Sequence, residues 1–537
     1  MVILVILLCS TFQTRQSVIE FHYRNIIVHF DLKGAPPRIN YFIDLLHFVA
    51  QIGATGILIE WEDMFPWSGK LEMVRSTNAY TVAEVKRILQ TAKNLNLDVI
   101  PLVQTFGHME WLLKYERFRK FRENDKFPQV ICVGNKEAVD LVKEAIKQVV
   151  DVHLPFGLKR FHIGADEAFQ FGVCEESQKV MQDLLEEQPL IMYPQYDSLA
   201  FWHIARIANY THRVTKGARI LAWHDMINRI TITKFTDSTT GEILEPVIWD
   251  YSETLQGVAG VDIKSYRVGF KNIWASSAFK GANTPNAMYS NIVHYAKNNA
   301  EWLDQLRQLY KTPMAPNVEG IIITGWSRYD HMAGLCEILP IGIPSMVVNT
   351  QIALMGSKRR FDATGKELII QQAYEAAGSL MKCSIYGEPY NTCQFPGHEV
   401  FDLWKVFLDG AVKALDGILS GNAGRGWISE YNIAHNFSQN WYLENDVQNV
   451  LFNVIQGVPT QLQQLETNLL RLFHKGTVDE FFFSNVDPIL TKIRYLVESS
   501  SRLSQKRTYG RRPFKIKRLK FGNFTQELLS LVNPPTS

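Results

Sequence analysis

From about residue 26 the chain repeats one pattern eight times, and this repeat restricts its fold more than any other feature. A short β-branched run ends in polar or aromatic residues, and an amphipathic helical stretch follows. The runs are Ile26–Leu32, Gly56–Trp61, Leu97–Gln104, Arg160–Asp166, Arg219–Asp225, Pro246–Tyr251, Lys271–Ser276 and Gly320–Trp326. Between them, Ile39–Ile52, Val82–Leu95, Lys136–Val150 and Asn291–Tyr310 carry apolar residues at helical spacing. Strands that alternate with helices form parallel βαβ units, and eight such units close into a (β/α)8 TIM barrel. The carboxyl ends of such strands hold catalysis. Here those ends carry Asp31, Glu60, Glu62, Gln104, Asp166, Glu167, Asp225, Asp250, Tyr251 and Trp326.

After about residue 355 the strand signal stops. Val400, Trp404, Phe407, Ala411 and Leu415 follow three-or-four spacing, as do Leu462, Leu465, Leu469 and Leu472. The expected organisation is an apolar stub over 1–20, a catalytic barrel over 21–355, a helical C-terminal domain over 356–505 and a basic tail over 506–537. Lys506, Arg507, Arg511, Arg512, Lys515, Lys517, Arg518 and Lys520 have no acid between them, so the chain's net charge of +2 hides a net acidic body. The tail reads as a solvated, flexible appendage or an anionic-surface patch. A near-neutral total gives no reason to expect a nucleic-acid partner. No run of about 20 apolar residues suggests a membrane span.

The segment His162-Ile163-Gly164-Ala165-Asp166-Glu167-Ala168 is the most telling. Within a regular strand neighbours point to opposite faces, so adjacent acids could not both serve one site. At the rim, where the strand breaks into a loop, both can turn toward a ligand. The competing reading is a helix N-cap followed by a first-turn acid.

This segment resembles the H-x-G-x-D-E signature of glycoside hydrolase family 20, the β-N-acetylhexosaminidases. His29–Pro37 (HFDLKGAPP), Ile59–Trp67 (IEWEDMFPW), Ile100–Trp111 (IPLVQTFGHMEW), Trp249–Tyr251 (WDY), Trp274–Ala282 (WASSAFKGA) and Thr324–His331 (TGWSRYDH) extend the resemblance to the hexosaminidase D branch of that family. The motifs run in order over about residues 25–345, nearly the whole expected barrel.

The resemblance implies a retaining exo-β-N-acetylhexosaminidase that acts on terminal β-linked N-acetylgalactosamine or N-acetylglucosamine without a cofactor. In this family the substrate's own 2-acetamido oxygen attacks the anomeric carbon and forms an oxazolinium intermediate. Glu167 is then the general acid and base, and Asp166 holds the acetamide. Tyr251 becomes the donor to the acetamide oxygen, and His108 part of a supporting relay with Glu62 or Asp63. Without the resemblance His108 reads equally as a satisfied core histidine. Trp223, Trp249, Trp274 and Trp326 are the candidate walls of the sugar site, any one of which could be barrel packing instead. Asp225, Asp330 and His162 complete the candidate substrate-binding set; Asp225 and Asp250 could equally cap the segments that follow them.

Two departures from the family pattern bear on specificity. Many members carry Arg at the end of the first strand, where HFDLKG offers Lys33, and a Trp-x-Glu on the eighth, where Ser327 and Arg328 follow Trp326. Asp330 is the expected substitute for that Glu. The galacto configuration should be at least tolerated.

Two rival readings use the same rim. Glu62, Asp166, Asp225 and Asp250 could hold a divalent metal, or the barrel could bind sugar without catalysis. The intact acid pair opposes the second. The expected partner is a glycan or glycoconjugate; the sequence leaves the oligomeric state open, a homodimer included. Branch resemblance implies a nucleocytoplasmic protein, whereas the apolar start and sequons at Asn209, Asn436 and Asn523 imply secretion or a lysosome. The spacing of Cys9, Cys132, Cys174, Cys336, Cys383 and Cys393 shows no dense framework. Most are expected to be reduced, with Cys383 and Cys393 able to pair in an oxidising compartment.

Overall fold

The computed structural model describes residues 21–187, 195–258, 261, 263–313, 315–357, 365–385, 393–518 and 522–532. The apolar stub, Cys9 and Lys520 lie outside the described residues. Eight parallel strands close a barrel: β1 (Asn25–Asp31), β2 (Gly56–Glu60), β3 (Asp98–Leu102), β4 (Arg160–His162), β5 (Arg219–Trp223), β6 (Leu244–Trp249), β7 (Ile273–Lys280) and β8 (Val318–Gly325). Each strand pairs with its sequence neighbours, and β1 closes the ring on β8 with Ile27 opposite Ile322.

Alternation along the strands fills the barrel. Ile27, Leu58, Ile100, Leu102, Leu221, Trp223, Val247, Trp274 and Ile322 form one buried cluster, with Trp249 and Trp326 packed against it. Helices coat the outside, and three of them are started by a local signal. Thr81 accepts from the Glu84 amide while Glu84 reaches back, a capping box for helix Val82–Asn94. Asn135 caps Lys136–His153, and Asn291 caps Ile292–Tyr310. One further helix, Leu339–Ser357, is apolar enough over Leu339–Gly356 to cross a membrane, but 89% of that window is buried inside the protein. It reads as a core helix.

Contacts divide the chain into two compact units. The first runs to Trp404 and also takes in Gln464–Asn485; the second comprises Lys405–Gln463 and the residues from Val486 onward. In the second unit Trp427 stacks on Tyr442, with ring centroids 3.6 Å apart. Three residues of the basic tail make contacts within the second unit. Tyr509 donates to Asn440 at 2.8 Å, Phe514 stacks on His435 at 4.9 Å, and Arg512 lies over the Phe437 ring.

The expectation of mostly reduced cysteines is corrected. Cys132 is bonded to Cys174 and Cys383 to Cys393, leaving Cys336 as the free cysteine among the described residues. The first bridge spans 42 residues, which no local spacing rule could reveal.

Several buried histidines make the barrel unit sensitive to acid. Burial lowers His153 to about 4 and His162 to about 3, and holds His203 well below the usual range. Each uses one ring nitrogen as an acceptor: His153 from the Trp61 indole, His162 from the Gly164 amide, His203 from Arg206. Protonation would remove those acceptors. Because the folded values lie below the unfolded value near 6.5, the unfolded chain binds more protons as pH falls. The destabilisation that these three histidines cause is therefore absent above pH 6.5 and grows as pH drops toward 4. The unfolding temperature should fall by roughly 5 °C or more across that window. A flat profile in a thermal-melt series would contradict this.

Candidate active site

The site begins where β4 ends. After His162 the backbone leaves strand geometry, and Gly164, Ala165 and Glu167 adopt φ values of 63°, 65° and 44°. Positive φ is uncommon for residues other than glycine. Two such residues, Ala165 and Glu167 itself, turn the neighbouring acid side chains, which a strand would send apart, toward one cavity. Space for the turn comes from Gly107: a Cβ there would lie 2.1 Å from the Asp166 carbonyl oxygen.

Glu167 is fixed from three directions. Its amide donates to Asp225 Oδ2 at 2.7 Å, its carbonyl accepts from Gln129 Nε2 at 2.6 Å, and its Oε2 faces His108 Nε2 at 3.0 Å. Asp166 Oδ2 lies 3.6 Å from the same His108 nitrogen. Burial disfavours the imidazolium, but Asp166 and the hydrogen bond to Glu167 outweigh it and raise His108 to about 10. Burial raises Asp166 to about 7; His108 pulls it down, while Asp225 and Glu167 push it up. Asp166 and Glu167 thus share one imidazolium. Burial likewise raises Asp225.

The cavity holds about 280 Å³, at the lower end of small-ligand pockets. Asp166, Glu167 and His108 line it together with the aromatic residues Trp223, Trp249, Tyr251, Trp326 and Tyr329, and with Lys33 and Gln104. Trp249 stacks on Tyr251 with centroids 5.4 Å apart and donates its indole N–H to Asp225 Oδ1. Trp326 donates to the Tyr251 oxygen at 3.3 Å. Burial raises the Tyr251 phenol, so it stays a neutral O–H.

Lys33 Nζ lies 3.2 Å from both Asp31 and Glu60 and 3.7 Å from Glu62. It also sits over the Trp326 ring, 5.1 Å from its centroid. Burial works against the ammonium, but those carboxylates raise it well above the ordinary lysine range. Lys33 therefore presents a permanent cation to the cavity.

Seven of the sequence-selected residues line this one cavity: Asp166, Glu167, His108, Tyr251, Trp223, Trp249 and Trp326. Asp225 stands behind them as a positioning acceptor. Four go elsewhere. Glu62 does not pair with His108; its Oε2 accepts from His331 Nδ1 at 2.7 Å, and Asp63 also faces His331. With Lys114 donating to the other nitrogen, His331 is held as the Nδ1–H tautomer. Trp274 is a buried core residue whose indole donates to Glu245. His162 is fully buried under Trp223, with centroids 4.4 Å apart. Asp330 accepts from the Met332 and Ala333 amides, capping a turn.

The acids of the metal reading are not collected on one point either. Asp250 accepts from the Ser252 and Val258 amides, and Asp225 and Glu62 have the partners given above. Tyr329 and Gln129 escaped the sequence reading. Tyr329 had a usable signal, an aromatic three residues beyond Trp326; Gln129 lies on a short hairpin strand with no periodic signature.

Residues 53–266 match glycosyl hydrolase family 20, catalytic domain. Hexosaminidase D of Homo sapiens is 34% identical over 481 residues, which cover 89% of this chain and 94% of that protein. Hexosaminidase D of Bos taurus is 39% identical over 332 residues, covering 62% of this chain and 92% of that protein. The solved structure of Flavobacterium johnsoniae chitobiase aligns with 95% of this chain and 72% of its own, at 13% identity and a TM-score of 0.48.

Proposed function

We propose, from the premise that this chain belongs to glycosyl hydrolase family 20 and is a β-N-acetylhexosaminidase, that it releases terminal β-linked N-acetylhexosamine by substrate-assisted catalysis with retention. One observation carries this reading: two adjacent carboxylates and a neutral phenol converge on a cavity sized for a single sugar. Ordinary retaining hydrolysis needs two carboxylates about 5–5.5 Å apart across the scissile bond, one of them a nucleophile. Sequence neighbours on one turn suit a different division of labour.

In the first step the acetamide carbonyl oxygen attacks C1 as the C1–O bond to the leaving group breaks. Glu167 transfers its proton to the departing oxygen. Asp166 accepts the acetamide N–H, which aligns the nucleophile and offsets the charge growing on the oxazolinium ring. Tyr251 donates to the acetamide oxygen, and the indoles of Trp249 and Trp326 enclose the methyl group. Water then attacks C1 from the vacated side, giving its proton to the Glu167 carboxylate. Two inversions at C1 leave the product with retained configuration. His108, shared between Asp166 and Glu167, orients both acids and steadies their charge through the proton transfers.

Lys33, where many relatives have Arg, is the cation available to the outer sugar hydroxyls. A compact ammonium is less directional than a guanidinium fork, which suits tolerance of both C4 configurations. The reading is tested with aryl N-acetyl-β-glucosaminide and N-acetyl-β-galactosaminide in parallel, with and without an N-acetyl-thiazoline of matching configuration. Both should be hydrolysed without added cofactor, and the thiazoline, which mimics the cyclised intermediate, should compete with substrate. Turnover unaffected by the thiazoline would count against substrate assistance.

A further inference from the structure

The cavity has room for one sugar, yet a natural substrate continues beyond its scissile bond. Glu167 fixes the direction of that continuation, because the departing oxygen must lie against its carboxyl. Its side chain is 36% exposed, so it is open to the outside. Next to it is a second, shallow cleft of about 220 Å³ lined by Asn124, Phe127, Gln129, Val130, Phe169 and Gln170. The two spaces share a wall, since Gln129 donates to the Glu167 carbonyl at 2.6 Å. Phe169 lies two residues beyond Glu167 and is 68% exposed; Phe127, on the facing hairpin, is 40% exposed. Asn124 donates to Gln170 at 2.9 Å and joins the hairpin to the loop.

Single exposed apolar side chains are ordinary. Two phenyl rings on one cleft, beside the acid that meets the leaving group, are a built surface. Their faces suit the C–H face of a sugar ring, and the Asn124 and Gln170 amides at the edge suit its hydroxyls. We propose that Phe169 and Phe127 form the platform that binds the leaving sugar, so that this cleft selects for a glycan rather than a small alcohol as the leaving group. The proposal rests on Glu167 being the general acid.

The test compares wild type, Phe169→Ala, Phe127→Ala and Phe169→Tyr in the full chain. The substrates are N,N′-diacetylchitobiose and its counterpart with a galacto-configured nonreducing sugar. Inhibition by N-acetyl-thiazoline, which reaches only the inner cavity, is measured alongside. Each Ala variant should lower kcat/KM on the better disaccharide about tenfold, equivalent to ~1.4 kcal/mol. The thiazoline inhibition constant should stay within about twofold, a shift too small to mark a lost contact, and Phe169→Tyr should retain the wild-type rate. Unchanged disaccharide kcat/KM in both Ala variants would overturn the platform, as would a parallel loss of thiazoline affinity, which would place the rings in the inner site. If sedimentation instead showed Phe169→Ala dissociating a dimer with hydrolysis unaltered, the rings would belong to a contact between copies. A wild-type protein that neither hydrolyses the disaccharides nor binds the thiazoline would remove the underlying function as well, and so is distinct from failure of the platform alone.

Discussion

Glu167→Gln should cut kcat/KM by about a hundred- to ten-thousandfold when the leaving group is a sugar. The substitution keeps size and shape, and the Gln129, Asp225 and His108 contacts can persist around it. What it removes is a transferable proton. An alkoxide is a poor leaving group without that proton, whereas a dinitrophenolate departs unaided. The loss should therefore shrink sharply along a series of aryl glycosides of increasing leaving-group acidity. A variant equally impaired on every leaving group would assign Glu167 a positioning role instead.

Asp166→Asn should give the opposite pattern. The amide retains the volume of the carboxylate but offers no anion to the acetamide N–H or to the oxazolinium charge. Loss of one such electrostatic partner in a buried site costs about a hundred- to a thousandfold in rate. The deficit should persist with activated leaving groups, because the attack itself is impaired rather than the departure. Burial gives this prediction its size: it raises Asp166 to about 7, so the carboxylate is poorly solvated by its surroundings and a hydrogen-bond partner for its anion counts for more. Steady-state kinetics of the two variants on the same aryl series would separate the roles. Parallel deficits across the series in both would contradict the division of labour.

The sequence made the barrel legible because its grammar is local. Strands and helices alternate with their own periodicities, and the observed strands begin and end within a few residues of the expected ones. The acid pair was legible too, since a doublet of acids at a strand end is chemically conspicuous. The failures share a cause, which is the direction a side chain takes beyond its own strand. Trp274 was placed at a rim because its run was ended at Ser276. The strand continues to Lys280, which leaves Trp274 a layer deeper, in the core. His162 is the last residue of β4, one step before the turn, and so remains inside.

Partner assignments failed wherever the partner came from afar. His331 lies 269 residues from Glu62 and takes its carboxylate, leaving His108 to the acid pair. The same holds for the helices after the barrel. Leu462, Leu465, Leu469 and Leu472 were rightly read as a helical stripe. Periodicity contains no address, however, and Gln464–Asn485 belongs to the barrel unit by its contacts.

Substrate assistance is the central claim, and its most direct test is to weaken the nucleophile without touching the protein. Aryl β-glycosides bearing N-acetyl, N-fluoroacetyl, N-difluoroacetyl and N-trifluoroacetyl groups differ in the electron density of one carbonyl oxygen. If that oxygen attacks C1, kcat/KM must fall steeply and progressively with fluorination, by roughly tenfold or more per step, or ~1.4 kcal/mol of barrier each. A rate independent of fluorination would mean that a protein carboxylate or water attacks instead, and would contradict the account.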